Sequence, residues 1–395
     1  MKPRKAIVVL GTFDSKGEEH LFLKQAVERR GHPVLTVNVG TRRPEVFTPD
    51  YDLRPDRPLE RDLAIQTVID RARGLVRDLH ARGEISGLVS AGGGSGTHIA
   101  TQVMQVLPLD VPKVMVSTVA SRNMATVVGT KDIIMMPSVA DLLGVNSISG
   151  LILDRAAAVV CGLAGAGHEP SAGRKRIALT MFGFITRAAE MIKARLEAAG
   201  HEVIAFHANG AGGLAMEELA REGRFDALLD LATHELADSL KPGGYCHLIG
   251  PGRLEPVPGL PRLVVPGGLD CVVLEFTRDT VPLEYRDRKI FFYDFRSAIR
   301  LSLEESRGLG LDLAERLNRA RPWVRVLVPL KGWSEADRTG GPLYDPEAAA
   351  ALLEALKTRL DARVPVREVD RHINDPAFAL EAAQEMEEML AADIR

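Results

Sequence analysis

The residues whose types and spacing suggest binding chemistry are a run of glycines after a short apolar segment. Ile85 to Ala91 is apolar and bounded by glycines, which predicts a buried strand. Thr97 to Leu107 carries apolar residues at spacings of three and four, which predicts a helix. Glycine lets the backbone approach a ligand closely, and a helix N-terminus offers unpaired N–H groups to an anion. We therefore predict a phosphate or carboxylate site at Gly92, Gly93, Gly94, Ser95, Gly96 and Thr97.

Two familiar loop motifs do not fit this segment. A Walker A loop needs a lysine that is absent here, and a nucleophile elbow around Ser95 would need glycine at position 97. A tight turn between strand and helix, with no ligand, is the alternative interpretation.

The first predicted strand, Ala6 to Leu10, is also followed by polar residues, and a helix is predicted from Glu18 to Arg30. We predict that residues between these two elements contact the ligand, with Lys16 as a possible electrophilic group. A charged surface turn is the alternative. The residues concerned are Gly11, Thr12, Asp14 and Lys16.

This strand–helix–strand pattern returns at Ile177 to His207. At the offset of 169 residues that separates Gly31 from Gly200, seven positions are identical. We predict an α/β protein of two Rossmann-like parallel-sheet subdomains related by an apparent internal duplication. The predicted subdomains are residues 1–168, with the Gly-rich loop, and residues 174–395, with a C-terminal helix. Within the second, Ser297 to Arg319 is predicted as one continuous helix.

Two further groups of polar residues lie near predicted strands of the first half. Thr118 ends the predicted strand Val111 to Thr118 and Ser121 follows it, at the strand end where ligands of doubly wound sheets bind. Lys131 precedes another predicted strand; it could pair with phosphate, and Asp132 could hold Mg²⁺. A solvated charge pair at a strand start is the alternative for Lys131 and Asp132.

The second half contains a second Gly-rich segment before a helix predicted from about Leu214. It could face the first Gly-rich loop across a cleft between the subdomains, although glycines also serve as plain turn residues. A third glycine pair stands near an aspartate between two predicted strands. The predicted ligand-binding residues are Asn209, Gly210, Gly212, Gly213, Gly267, Gly268 and Asp270.

His234 and Glu235 follow a predicted strand of the second half, so they are candidate acid–base groups. Together with four further residues they could instead converge on a metal: His207, Cys246, His247 and Asp270. No pair has the HExxH spacing of a helical zinc site, so we predict no metal site.

Composition excludes several classes of protein. A length of 395 residues suggests two or three domains, and the net charge of -3 gives no reason to expect nucleic acid or an acidic membrane as partner. The three cysteines have no CxxC spacing, which argues against a disulfide framework. No signal peptide and no apolar run of membrane-spanning length are recognised. The expected location is the cytoplasm.

Several long motifs resemble the tomato-mosaic-virus-resistance-like ATP-binding family of bacterial, fungal and plant proteins. The motifs are VVLGTFDSKGEEH, SAGGGSGT, VGTKDIIMMPSV, FHANGAGGLAMEEL and PGGLD. The resemblance covers nearly the whole chain and implies a two-subdomain Rossmann-like module that binds ATP and self-associates. The plant member adds a barrel-like domain, and nothing in this chain is left over to form one.

The resemblance and the loops together predict a cytoplasmic nucleotide-binding protein that binds ATP, alone or with Mg²⁺, and forms a homodimer or higher homo-oligomer. One alternative is an enzyme of hydrolase or lyase type that acts on a small phosphorylated or carboxylated metabolite in the cleft between the subdomains. A second alternative is a protein-binding module with a vestigial pocket.

Overall fold

A computed structural model describes residues 5–43, 46–167, 173–245 and 252–392. The chain divides into two compact units, residues 1–170 and residues 171–395. Each unit is built around its own parallel sheet and its own core.

The sheet of the first unit has the strand order β3-β2-β1-β4-β5-β6, and its neighbouring strands pair in parallel. The order reverses between β1 and β4, and ligands of open α/β sheets bind beyond the carboxyl ends of the strands at such a point. The strands are β1 (Ala6–Gly11), β2 (Val34–Asn38), β3 (Tyr51–Asp52), β4 (Ile85–Gly92), β5 (Lys113–Ser117) and β6 (Ile133–Pro137).

Helices cover both faces of this sheet because side chains alternate along each strand. Val8 and Leu10 of β1 pack with α2 and α3, whereas Ile7 and Val9 pack with α1 and α5. The helices are α1 (Gly17–Arg29), α2 (Arg61–Ala81), α3 (Gly94–Met104), α4 (Ala125–Val128) and α5 (Ser147–Ala164).

The α5 helix corrects one expectation from the sequence. By length and composition alone it is apolar enough to cross a membrane, whereas no such segment was predicted. It contacts α1, β4 and β5, and Leu153, Ala157 and Val160 are fully buried in that contact. This is the packing of a core helix.

The main sheet of the second unit has the order β15-β14-β10-β9-β7-β8 and is parallel. A smaller antiparallel sheet has the order β11-β13-β12. The strands are β7 (Arg176–Met181), β8 (Glu202–His207), β9 (Ala227–Ala232), β10 (Arg262–Gly267), β11 (Cys271–Leu274), β12 (Ile290–Phe292), β13 (Ser297–Arg300), β14 (Val324–Pro329) and β15 (Val366–Val369).

The predicted continuous helix from Ser297 to Arg319 is wrong at its start. Residues Ser297–Arg300 form β13, and Ser302 caps the following helix by accepting a hydrogen bond from the Glu305 N–H at 3.2 Å. The helices of this unit are α6 (Thr186–Ala198), α7 (Ala211–Arg221), α8 (Glu235–Asp238), α9 (Leu303–Ala320), α10 (Pro346–Arg359) and α11 (Pro376–Ala391).

The two units share a strand order. In the first, β2-β1-β4-β5-β6 are neighbours in that order, and in the second β8-β7-β9-β10-β14 are neighbours in the same order. The offset of 169 residues also carries α1 (Gly17–Arg29) onto α6 (Thr186–Ala198). The predicted fold of two Rossmann-like parallel-sheet subdomains is confirmed.

Candidate functional site

The start of α3 is an open helix N-terminus. The helix begins at Gly94, three residues before the predicted start at Thr97, with Gly93 as N-cap and no side-chain cap. Within the described ranges, no partner accepts a hydrogen bond from the N–H of Gly94, Ser95 or Gly96. The first turn contains no acidic residue, so these N–H groups and the positive end of the helix dipole favour an anion.

The glycines at this N-terminus are not required by the fold. A Cβ on Gly94 would meet nothing within 4 Å, and one on Gly93 would lie an ordinary 3.7 Å from Thr118 Oγ1. A Cβ on Gly96 would meet its nearest atoms at 4.0 Å, and none of the three has a positive φ. Gly92 differs, because its Cβ would lie 3.0 Å from the Cα of Gly96.

A polar cavity of about 490 Å³ lies at the carboxyl ends of β5 and β6, next to this N-terminus. The predicted residues Thr118 and Ser121 line it, as does Asp141. Thr97 is hydrogen-bonded to a residue of the cavity lining, since its hydroxyl is 2.7 Å from that of Ser117. Val139, also in the lining, is 77% exposed and has φ 66°, a strained value for a β-branched residue.

The loop between β1 and α1 is braced by its own side chains. Asp14 Oδ2 accepts a hydrogen bond from the Arg42 N–H at 3.0 Å, and Lys16 Nζ donates to the Leu142 carbonyl. The carbonyl of Thr12 accepts from the Lys16 N–H at 2.8 Å. Two glutamates stand in the first turn of α1, which makes that helix start unfavourable for an anion. The structure therefore gives Asp14 and Lys16 intramolecular partners, and their predicted ligand contacts stay predictions.

Sequence reasoning missed His20, which explains Gly11. A Cβ on Gly11 would lie 1.9 Å from His20 Nε2, so only glycine fits there. His20 Nδ1 is 2.6 Å from the Lys16 carbonyl, and the Ala91 N–H lies 3.4 Å from Nε2. Burial lowers the pKa of His20 to about 4, so this neutral ring joins the ends of β1 and β4 beneath the loop.

Lys131 does not lie with the other predicted residues. It precedes β6 and is therefore at the amino edge of the sheet, a strand's length from Gly94 at the carboxyl edge. Asp132, the predicted Mg²⁺ ligand, is 2.7 Å from the buried Lys113 Nζ. Parallel strands run in one direction, so their starts and ends lie at opposite edges, and Lys131 and Asp132 lie at the edge opposite the Gly-rich loop. The predicted roles of Lys131 with phosphate and of Asp132 with Mg²⁺ stay predictions.

The second unit buries charged side chains of α7, α8, β9 and β10 together with that of Arg253. Arg253 donates to Glu217 Oε1 at 2.6 Å and to Asp230 Oδ1 at 2.7 Å. Arg262 donates to both carboxylate oxygens of Glu217, at 3.1 and 2.7 Å. We call the following set the buried charge network: Glu217, Asp230, Glu235, Arg253 and Arg262.

The buried charge network can be electrically neutral. Burial would raise the pKa of Glu217, but Arg262 and Arg253 outweigh it and lower that pKa. Burial does raise the pKa of Glu235, which lies 3.5 Å from Arg253 Nε and accepts no hydrogen bond at either oxygen within the described part of the chain. With Glu235 protonated, two carboxylates face two guanidinium groups.

His234 is equally enclosed. Its ring stacks on Phe182 with centroids 3.8 Å apart, Nδ1 is 2.7 Å from the Gly268 carbonyl, and Nε2 is 3.2 Å from Asp238 Oδ1. Burial opposes the charged ring, but Asp238 outweighs it and raises the pKa of His234. His234 and Glu235 are both 0% exposed.

The glycines of the second unit are required by packing, unlike those of α3. A Cβ on Gly213 would lie 2.0 Å from Glu235 Oε1, and one on Gly212 would lie 2.1 Å from the His207 carbonyl. Gly267 would meet the Leu231 carbonyl at 2.1 Å, and Gly268 has φ +75°. The N-terminus of α7 is also partly capped, since Asn209 Oδ1 accepts from the Gly212 N–H at 3.1 Å, and its N-cap Gly210 has φ 88°.

Asp270 belongs to a second buried group of charges. Its Oδ2 accepts from Ser334 Oγ at 2.7 Å, and Asp337 Oδ1 lies 3.2 Å from Arg300 Nη1. Burial, with Asp270 nearby, raises the pKa of Asp337 to about 6. The structure thus gathers most of the predicted residues of this unit at one edge, but inside the protein.

No group of three or more metal-ligating side chains is placed to hold an ion among the described residues. Two of the candidate ligands, Cys246 and His247, lie outside the described residues. The predicted cleft shared by both Gly-rich segments stays a prediction.

Family models match both units. The N-terminal domain of Uncharacterised protein family (UPF0261) matches residues 5–169, and the C-terminal domain of the same family matches residues 174–390. The chain belongs to this family. A UPF0261 protein of Clostridium tetani is 36% identical over 98% of this chain and 99% of the relative. One of Rhizobium meliloti is 38% identical over 95% and 96%.

A tomato protein is also similar to this chain, at a lower sequence identity. The ToMV resistance protein Tm-1(GCR237) of Solanum lycopersicum is 30% identical over 94% of this chain but 54% of its own length, so this chain spans about half of it. The predicted resemblance is confirmed. Among solved structures, Acinetobacter baumannii MurG has 10% identity and a TM-score of 0.25, covering 98% of both chains, which is too distant to carry an argument.

Proposed function

We propose that the first unit binds a phosphorylated small molecule, ATP in the simplest case, at the start of α3. The observation that carries the proposal is that Gly93, Gly94 and Gly96 are required neither by backbone conformation nor by packing. A glycine inside a helix costs about 1 kcal/mol of stability relative to alanine. A ligand that lies against bare backbone supplies the missing reason for glycine at these positions.

The chemistry of this N-terminus suits phosphate. The N–H groups of Gly94, Ser95 and Gly96 would donate to phosphate oxygens, and the helix dipole would favour the negative charge. The adjoining cavity, at about 490 Å³, is within the usual range for small-molecule sites. Hydroxyls of Thr118 and Ser121 and the carboxylate of Asp141 would face the sugar, and Mg²⁺ would arrive with the nucleotide.

Turnover has less support than binding. Lys16 is hydrogen-bonded to the Leu142 carbonyl, and the acid–base candidates His234 and Glu235 are fully buried. The enzyme and protein-binding alternatives, the homo-oligomer and the cytoplasmic location stay predictions.

The test is Gly94→Val, with titration calorimetry of Mg-ATP. The added side chain would occupy the space in which the phosphate lies, so we expect ATP binding to be lost while the unfolding transition is kept. Gly74→Val is the matched control, because Gly74 is also a helical glycine whose Cβ would meet nothing within 4 Å, and it lies in α2.

Unchanged ATP affinity in folded Gly94→Val would overturn the proposal. The unfolding of the first unit has to be followed by calorimetry rather than tryptophan fluorescence, because Trp323 and Trp333, the two tryptophans of the sequence, both lie in the second unit.

A further inference from the structure

The first unit has a second concave surface, rich in arginine, beyond the ends of β2 and β3. It is a cavity of about 830 Å³. The whole chain carries a net charge of -3, so the positive charge collected here is a local feature. We call this surface the arginine cavity; its basic lining residues are Arg42, Arg43, Arg54, Arg57 and Arg61.

The acidic residues of the lining do not neutralise this charge. Asp52 pairs with Arg54 at 3.2 Å, but Asp56 pairs at 2.5 Å with Arg71, which is outside the lining. For Arg43, Arg57 and Arg61, the described residues offer neither an ion-pair nor a hydrogen-bond partner. A guanidinium group without an intramolecular partner binds phosphate or carboxylate well, because it presents several hydrogen-bond donors in one plane.

The arginine cavity and the start of α3 flank one loop. On one side of this loop, Asp14, which lies between β1 and α1, accepts a hydrogen bond from the backbone N–H of Arg42. On the other side, the hydroxyl of Thr12 lies 4.0 Å from where a Cβ of Gly96 would be. Neighbouring strands are about 4.8 Å apart, so the ends of β2 and β4, with β1 between them, are separated by roughly 10 Å.

We propose that the arginine cavity is a second anion site, which binds a further phosphate of the same ligand whose first phosphates lie at α3. The inference rests on the proposed function and narrows the ligand to a nucleotide with an additional phosphate on its ribose. ATP alone would fill the α3 site and leave the arginines unpaired. A bounded cavity of this size fits a small molecule better than the extended basic surface that a nucleic acid needs.

The experiment compares ligands that differ by one phosphate. NADP⁺ and NAD⁺, and adenosine 3′,5′-bisphosphate and AMP, are titrated into wild type, Arg57→Ala/Arg61→Ala and the control Arg77→Ala. Arg77 is an exposed residue of α2 outside the cavity, so its replacement removes one positive charge from the same unit and leaves the cavity intact. We expect the extra phosphate to tighten binding about tenfold in wild type and the control, and not at all in the double variant.

Inorganic pyrophosphate tests the arginine cavity without a nucleoside. Binding of pyrophosphate should weaken in Arg57→Ala/Arg61→Ala and survive in Gly94→Val. ATP binding, in contrast, should be lost in Gly94→Val and survive in Arg57→Ala/Arg61→Ala. ATP binding that survives Gly94→Val rejects the α3 site. The second site is rejected if the extra phosphate does not tighten binding to wild type. It is also rejected if the extra phosphate still tightens binding to the double variant. RNA binding that is lost in the double variant would also reject it, because the partner would then be a polymer.

Discussion

The two units have parallel sheets with the same strand order, but their polar groups differ in whether they have a partner within the protein. In the first unit, the N–H groups at the start of α3 and three guanidinium groups of the arginine cavity are unpaired in the described part of the chain. In the second unit, the buried charge network holds carboxylates and guanidinium groups against one another, away from solvent.

The glycines of the two units also differ in how tightly their surroundings pack against them. Those that start α3 are free of packing constraints, whereas Gly213 in the second unit is held against Glu235. One topology therefore supports an open polar edge in one unit and a closed one in the other, which is why fold alone does not assign a site.

The largest expected effect is in the closed unit. Arg253→Ala would leave Glu217, Asp230 and Glu235 buried with Arg262 as the remaining counter-charge. Breaking a buried ion pair typically costs 3–5 kcal/mol, so we expect about that loss in the free energy of unfolding. Urea unfolding followed by tryptophan fluorescence reports on this unit. In the open unit, Arg57→Ala should change stability by less than about 0.5 kcal/mol, measured by calorimetry. Similar losses for the two variants would contradict the comparison.

A smaller effect is expected from pH, through Asp337. Its pKa is raised from 3.8 to about 6, so between these values the folded protein keeps a proton that the unfolded chain has lost. Stability should therefore fall as pH rises from about 4 to about 6, by roughly 3 kcal/mol from this group, and be flat above. Asp337→Asn should remove this dependence of the free energy of unfolding on pH, measured by urea unfolding of variant and wild type at several pH values. An unchanged slope would show that this carboxyl is not protonated in the folded protein.

The first unit should respond to pH with the opposite sign. Since the pKa of His20 is lowered from 6.5 to about 4, its contribution to stability is present above pH 6.5 and lost as pH falls towards 4. This contrast keeps the Asp337 effect distinguishable from general acid unfolding.

Within the second unit, the smallest expected effect is that of Glu235→Gln. Burial disfavours the charged form of Glu235 and raises its pKa, and glutamine keeps the side chain's shape without the charge, so the loss of stability should be below about 1 kcal/mol. Affinity for ATP, measured by calorimetry, should stay within a few-fold of wild type. Loss of ATP binding in the folded variant would mean that the ligand depends on the second unit, and the assignment to the first would be wrong.

The fold could be predicted because its signals are local. Apolar runs followed by amphipathic segments gave the strand–helix–strand units, and the repeat from Gly31 to Gly200 gave their relation. The error at Ser297 arose because a short strand was read as part of the helix after it. The capping pair Ser302 and Glu305 was a sequence signal that marked the true start.

The site could be predicted only in part, because its remaining members meet through tertiary packing. The glycines before α3 are contiguous in sequence, but Arg253 reaches Glu217 across 36 residues and His20 acts from inside a helix. The arginines of the arginine cavity lie between residues 42 and 61, and no sequence pattern shows that they line one cavity. Lys131 lies at the opposite edge of the sheet from Gly94, because nearness to a strand in sequence does not say at which edge of the sheet a residue lies.

The glycine-rich first turn of α3 has a consequence for the energetics of binding. Glycine loses more conformational freedom on folding than any other residue, and the first turn is the costly step of helix formation. With Gly94 and Gly96 in that turn, its order in the free protein is weakly favoured by the chain itself. A bound phosphate would act as the missing cap, so part of the binding free energy goes into ordering the helix start. Affinity would then be lower than the contacts suggest, and release correspondingly easier.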